Sequence, residues 1–381
     1  MISRRGFLSL AACAGGALLV PSISFAQAET DRRFAFIIQR GAADGLHIIA
    51  PYGESAYTRL RGALALDPAT AIKLDGTFAL HPSLVETAKM FKAGEALFVH
   101  AVASPYRDRS HFDGQNVIET GGSAPYQVKD GWLNRLSVLS SKRKTPPIAF
   151  APTVPMALRG AAEVTSFAPS ALPDPQGDLF TRVDMLYRED PLLHPLWSAA
   201  METRAMAANE GPGRDPASVG KLAASFLARA NGPRIAMIET LGWDTHSQQV
   251  PRLTALLRGF DAMLATMRNG LGKSWAKTTV LVATEFGRTV AANGTNGTDH
   301  GTASAVLLIG GAVKGGRVLA DWPGLAPSAL YENRDLKPTL ALDALIAGVA
   351  GEALSIDPEL AMRTVFKEGS RAKPITGLIR A

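Results

Sequence analysis

Short apolar runs separated by glycine-bearing polar loops recur along the 381-residue chain. Phe34 to Ile38, Ala96 to Val99, Ile148 to Ala151 and Arg234 to Ile238 have the length and composition of core strands. The most pronounced pair, Thr279 to Ala283 and Ala305 to Ile309, brackets a loop of Asn, Gly and Thr from Ala291 to Gly297. Between these runs the apolar spacing becomes helical. One helix is predicted to begin at His81-Pro82-Ser83-Leu84 and end at Gly94, and another to run from His111 to Glu119 and stop at Gly121-Gly122. An amphipathic helix to about Asn269 carries Leu253, Leu256-Leu257, Phe260, Met263-Leu264 and Met267 at 3–4 spacing. A last helix spans roughly Pro338 to Val349, ahead of a polar tail. Residues from about 160 to 233 are poor in strand signals and rich in Ala, Met and Leu, so they read as a helical insert. The alternation predicts an α/β fold: a mainly parallel sheet with helices on both faces.

Composition narrows the picture. At 46% hydrophobic the chain can bury a large core, and no segment after the N-terminus has 18 uninterrupted apolar residues. Ser3-Arg4-Arg5-Gly6-Phe7-Leu8 is a twin-arginine export motif, followed by the apolar run Leu8 to Val20. Small-residue cleavage sites stand at Ser24-Phe25-Ala26 and Ala26-Gln27-Ala28. Residues 1–28 are therefore expected to be a signal peptide, handled by the twin-arginine translocase, and residues 29–381 a single periplasmic or secreted domain that does not span a membrane. Leu10-Ala11-Ala12-Cys13 also resembles a lipoprotein box, but the apolar stretch before Cys13 is short for one. Cys13 is the only cysteine and leaves with the signal, which excludes disulfides, thiolate metal sites and a cysteine nucleophile. The net charge of +6 falls by two once Arg4 and Arg5 are removed, and the one basic cluster, Lys142-Arg143-Lys144, reads as a solvated loop. No nucleic-acid partner is expected.

Polar clusters follow the predicted strands: Asp44, the loop from Asp108 to Asp113, Asp244-Thr245-His246, and Glu285 with Arg288, while Asp299-His300 precedes one. Singly, each has a plain structural reading. Asp44 before Gly45 suits a turn, and Ser110 suits a helix N-cap. Together they matter more, because strand C-terminal ends in a parallel sheet share one edge. Mixed carboxylate and imidazole groups suit Zn or Mn, and oxygen-only subsets suit Ca or Mg; no organic cofactor is expected. His47, His81, His100 and His194 read as structural histidines.

Five motifs occur in order: Arg40-Gly41-Ala42-Ala43-Asp44-Gly45-Leu46, Arg109-Ser110-His111-Phe112, Gly242-Trp243-Asp244-Thr245-His246, Thr284-Glu285-Phe286-Gly287-Arg288-Thr289, and Gly297-Thr298-Asp299-His300-Gly301. With the twin-arginine leader, they resemble the bacterial exported family called domain of unknown function 1501, over residues from about 34 to 350. The resemblance implies a fold like that of the alkaline phosphatase and sulfatase superfamily. It implies that Asp44 stands at that superfamily's first metal aspartate, Ser110 at its nucleophile, Asp244 at a metal-motif aspartate and His300 at the final metal histidine. Two positions depart from its pattern. Gln248 takes the place of a motif histidine, with His246 two residues early, and Phe286 stands where a second imidazole belongs.

These residues lead to an expectation of a metal-dependent hydrolase of phosphate or sulfate esters. Ser110 is then the nucleophile, and Asp44, Asp244, Glu285 and His300 hold or orient one metal. Arg109, Arg288 and His246 engage the anion or serve as acid and base. The alternative is a non-catalytic protein that binds an anion or a glycan on a hydrolase fold, which the departures at Gln248 and Phe286 favour. A third reading, hydrolysis of an acyl ester by Ser110 with a nearby histidine, lacks a Gly-x-Ser-x-Gly elbow.

Overall fold

A computed structural model describes residues 31–140, 145–169, 177–207, 213 and 215–380. The expected signal peptide and the Lys142-Arg143-Lys144 cluster lie outside these residues. A nine-stranded sheet forms the centre. Its strands are β1 (Arg33–Gln39), β2 (Ala96–Ala103), β3 (Ile148–Phe150), β4 (Thr165–Ser166), β5 (Ile235–Thr240), β6 (Thr278–Ala283), β7 (Ser304–Ile309), β8 (Arg317–Leu319) and β9 (Leu340–Ala341). The order is β8-β2-β7-β6-β1-β5-β3-β4, with β9 also pairing to β2.

β1 pairs in parallel with both β5 and β6, while β7 runs antiparallel to its two neighbours, β2 and β6. The sheet is thus mainly parallel, as the apolar runs predict, with one reversed strand. That reversal decides the site. Residues preceding β7 reach the same sheet edge as residues following β1, β2, β5 and β6.

The helices are α1 (Gly45–Ile48), α2 (Tyr57–Arg61), α3 (Val85–Lys92), α4 (His111–Thr120), α5 (Trp132–Ser140), α6 (Gly177–Tyr187), α7 (Leu193–Ala207), α8 (Pro216–Leu227), α9 (Gln249–Leu271), α10 (Leu342–Leu354) and α11 (Pro358–Val365). Alternate residues of β1 face opposite layers, as the two-residue period of a strand requires. Phe34, Phe36 and Ile38 pack among Trp132, Leu345 and Met362 of α5, α10 and α11. Ala35 and Ile37 pack among Met90, Leu222 and Leu264 of α3, α8 and α9. Both faces of β1 are fully buried, which accounts for its unbroken apolar run.

Three expectations needed correction. The last predicted helix runs Leu342–Leu354 instead of Pro338 to Val349, since Leu340–Ala341 is a strand. The first predicted helix begins at Val85 instead of His81, because Leu84 is its N-cap and His81 and Pro82 stay in the preceding turn. The polar tail contains α11, with Ala361, Met362 and Val365 buried, and it ends on buried Leu378 and Ile379. Its polar residues mask a narrow apolar stripe whose partner is the face of α10.

Candidate functional site

Three strand ends, of β2, β5 and β6, and the start of β7 deliver side chains to one edge of the sheet. After β2, the loop to α4 carries Arg109 at φ 60°, a left-handed conformation unusual for a non-glycine residue. That twist turns the Arg109 carbonyl toward the site, where it meets His300 Nδ1 at 2.9 Å. His111 opens α4, and its Nδ1 lies 2.9 Å from Oε1 of Glu285, which follows β6. After β5, Asp244 and His246 face each other, with His246 Nε2 3.0 Å from Asp244 Oδ1. Asp299 and His300 precede β7 and close the group.

Glycines allow the loops to approach this closely. Gly41, at φ +115°, lies so near Asp244 that a Cβ would come within 2.6 Å of its backbone nitrogen. At Gly287 a Cβ would meet the Ala303 carbonyl oxygen at 1.8 Å.

The ring nitrogens follow one rule. Each of three imidazoles turns Nδ1 to an acceptor: His111 to Glu285 at 2.9 Å, His246 to Asp299 at 3.2 Å and His300 to the Arg109 carbonyl at 2.9 Å. An Nδ1–H donated to these acceptors leaves Nε2 with a lone pair in the neutral ring. The Nε2 atoms converge. His246 Nε2 lies 2.9 Å from His300 Nε2, which is 3.3 Å from Asp244 Oδ1, and His111 Nε2 is 3.5 Å from Asp244 Oδ2. His111 Nε2 is buried and has no hydrogen-bond partner. Two facing lone pairs repel unless a proton or a cation lies between them. Ligand atoms of His111, Asp244 and His300 all fall within 4.8 Å of one another, a spacing that a metal ion can bridge. A carboxylate or carbonyl on the outer nitrogen is also the usual support of a metal-bound imidazole.

Charge fits the same picture. Burial acts to raise the Asp244 pKa, but the Arg288 guanidinium beside it holds the carboxyl below its usual range. The hydrogen bond to Glu285 raises the His111 pKa against the opposing effect of burial. Burial, with the nearby His111 and Arg288 charges, lowers that of His300. The carboxylate that favours a proton on the His111 ring equally favours a metal on its Nε2.

Several expected site residues take other places. Glu285 does not face the cluster's interior; it is fully buried and accepts from the Gly41 N–H at 2.8 Å and Gln115 Nε2 at 3.1 Å as well as from His111. It orients the His111 ring. Arg288 is equally buried, and besides Asp244 it donates to the carbonyls of Ala42 and Thr298 at 2.8 and 2.9 Å. Arg109 turns its guanidinium to Asp335, 2.9 Å from Nε, and to Glu332. Neither arginine is free to clamp an anion, because each already has carboxylate partners. Phe286 is buried and packs against His111 and His300 with ring centroids 5.1 and 5.2 Å apart, so an apolar wall stands where a second imidazole was looked for.

Asp44 lies apart from the cluster. Its carboxylate caps α1 through the amides of Leu46 and His47, pairs with Arg61, and accepts from Gln249 Nε2 at 2.6 Å. The helix cap and the buried ion pair use its lone pairs, so it is not available as a ligand beside Asp244. Gln248, at the motif-histidine position, is exposed in a left-handed turn before α9, and the buried partner is its neighbour Gln249.

His111 is not among the metal ligands expected from sequence, because it reads there as the first residue of a helix. Its place directly after Ser110, at a strand-to-helix junction, was the available signal. Ser110 is the N-cap residue of α4, and its hydroxyl makes no cap hydrogen bond to the helix amides.

Beneath the site lie three histidines that the fold keeps neutral. Burial lowers the pKa of His47 to about 3, with the Arg61 charge adding to the effect, and lowers those of His81 and His100 to about 4. The unfolded values are near 6.5, so below that pH the unfolded chain binds more protons than the folded one. Stability is therefore expected to fall as pH drops from about 6.5 toward 4, each group adding up to about 1.4 kcal/mol per pH unit. His111, with its raised pKa, opposes this with the reverse sign. Thermal melts at pH 7, 6 and 5 would check the slope; a melting temperature that stays level would rule out the neutral burial of these rings.

No curated protein sequence matches the chain. Among solved structures it is similar to a putative sulfatase from Bacteroides thetaiotaomicron, at 9% identity over 90% of this chain and 76% of that one, with a TM-score of 0.42. It is also similar to the C-terminal periplasmic domain of EcEptC from Escherichia coli in complex with Zn, at 10% identity over 75% and 74% of the two chains and a TM-score of 0.39. For the phosphonate monoester hydrolase of Agrobacterium radiobacter the identity is 10%, the coverage 76% and 70%, and the TM-score 0.33. Residues 31–363 match the family described as protein of unknown function DUF1501, and the chain belongs to that family.

Proposed function

We propose that this chain is an exported hydrolase of phosphate or sulfate esters that works with one divalent metal. The observation that carries the reading is the convergence of the His111 and His300 Nε2 atoms on the Asp244 carboxylate, within 4.8 Å of one another. Two imidazoles and one carboxylate form a three-ligand set that leaves a position open, as catalytic metal sites require. A divalent ion held there would polarise an ester oxygen and lower the pKa of a nearby hydroxyl.

The protein groups supply the remainder. Glu285 and the Arg109 carbonyl fix the ligand rings through their Nδ1 atoms. Ser110 stands between Arg109 and His111, both tied to the cluster, and its uncapped hydroxyl suits a nucleophile. His246 keeps Nδ1 on Asp299, so its Nε2 can accept the serine proton, as an oriented histidine base does. Export rests on the twin-arginine motif of residues 3–8. No helix among the described residues is long and apolar enough to cross a membrane.

A second reading, a non-catalytic protein that binds an anion or a glycan, is favoured by Phe112. This residue follows His111 directly in the chain and is 82% exposed, an apolar surface open to a partner. One experiment separates the two. Purified protein is expected to hold about one metal per chain, and Ser110→Ala to abolish ester turnover with the metal retained. Turnover unaffected by Ser110→Ala would remove the serine from the mechanism, and a protein without turnover on phosphate and sulfate ester panels would favour the binding reading.

A further inference from the structure

A cavity of about 500 Å³ opens on the other side of Gln249 from the metal-type cluster, and none of the residues of that cluster lines it. Its floor holds His47 and His81, which are 1% and 3% exposed. Their rings lie with centroids 5.4 Å apart. The protonation of both follows from their partners. Gln249 Oε1 accepts from the Thr245 and Thr298 hydroxyls at 3.0 and 2.7 Å, and its Nε2 donates to Asp44 at 2.6 Å. The amide cannot flip without placing its oxygen against the Asp44 carboxylate. Gln249 Nε2 therefore also donates to His47 Nδ1, 2.9 Å away, and the His47 proton must sit on Nε2. His81 follows suit, because its Nδ1 accepts from the Ser83 backbone N–H at 3.1 Å. Two buried rings thus each carry an Nε2–H donor for which the described residues supply no acceptor.

The rest of the lining adds charge and apolar surface. Arg258 also borders the cavity, without a carboxylate partner among the described residues. Leu64 and Leu66 form part of its wall, and at the rim Val85 and Val250 are 50% and 41% exposed. The one lining carboxylate, Asp67, is exposed and accepts from the Ala69 N–H at 2.9 Å. We propose that this cavity is a second binding site, for a small amphiphile whose carboxylate or phosphate meets the two imidazole N–H donors and Arg258 while its hydrocarbon body covers the leucine and valine wall. Donors that cannot accept select an oxyanion over an amine, and buried donors gain more from an acceptor than exposed ones do.

The test is calorimetric titration of the full chain with octanoate and octyl phosphate, with octanol and acetate as controls. At least one of the two amphiphilic anions is expected to saturate one site per chain, and which one does so distinguishes carboxylate from phosphate recognition. Octanol and acetate are expected to bind at least roughly tenfold more weakly. Arg258→Gln and Val250→Asp, both exposed positions, are expected to weaken binding by a similar factor without changing the melting temperature of the ligand-free protein. Prior chelation of divalent metals should leave the binding intact, which separates this site from the proposed catalytic one. Absence of saturable binding, loss of it on chelation, or binding undisturbed in both variants would overturn the proposal.

Discussion

His300→Ala is expected to leave the purified protein folded, free of bound metal and inactive toward esters. The ring is the hub of the cluster. Its Nε2 is 2.9 Å from His246 Nε2 and 3.3 Å from Asp244 Oδ1, and its centroid is 4.3 Å from that of His111. Removing it takes one of the three proposed ligands and also frees the Arg109 carbonyl that the ring engages. Disturbing only an outer partner of a metal ligand costs about 10–100-fold in affinity or activity, and loss of the ligand itself should exceed that. The side chain is 25% exposed, so its removal opens a solvated gap and not a sealed cavity. Elemental analysis of the variant beside the parent protein is the check. Full metal content together with normal turnover would rule out His300 as a ligand.

Arg61→Met is expected to destabilise the fold by about 3–5 kcal/mol, the usual cost of stranding one partner of a buried ion pair. Arg61 is fully buried, pairs with Asp44, and donates to the carbonyls of Thr289 and Val290 at 3.2 and 3.4 Å. Methionine can fill much of the volume but leaves the Asp44 carboxylate without a cation. The carboxylate would still accept from the α1 amides and Gln249, yet its pKa would climb. The deficit relative to the parent should therefore grow as pH rises above about 4. Adding Asp44→Asn to Arg61→Met should recover part of the loss, since the uncompensated charge is then gone. Denaturant melts of the parent and the two variants would measure this. A single variant as stable as the parent would place the pair among contacts of little energetic weight.

Much of the fold was legible from local pattern. The apolar runs from Phe34 and Thr279 are unbroken because both faces of those strands are covered. The spacing of Leu253, Leu257, Phe260 and Leu264 marks the stripe of α9 that faces the sheet. Less legible was α11, in which as many residues are polar as are buried, three of each in eight. The direction of β7 was beyond the reach of pattern, because a buried strand reads alike in either orientation. That direction depends on its pairing with β2 and β6.

The site divides along the same line. Sequence by itself determined which residue types gather at the sheet edge, since strand ends and their glycine loops are local features: Asp244, His246, Glu285, Arg288 and His300 all arrive there. What each one does was decided only by the tertiary structure. Glu285 and Arg288 share one motif and reach the same sheet edge as Asp244 and His300, yet they turn to Gly41, Ala42 and Asp244 and become supports. Asp44 is drawn away by Arg61, and His111 is drawn in by Glu285. The physical reason is that a carboxylate or guanidinium taken out of water must be paired. Its partners come from loops far apart in the chain, and no local pattern records them.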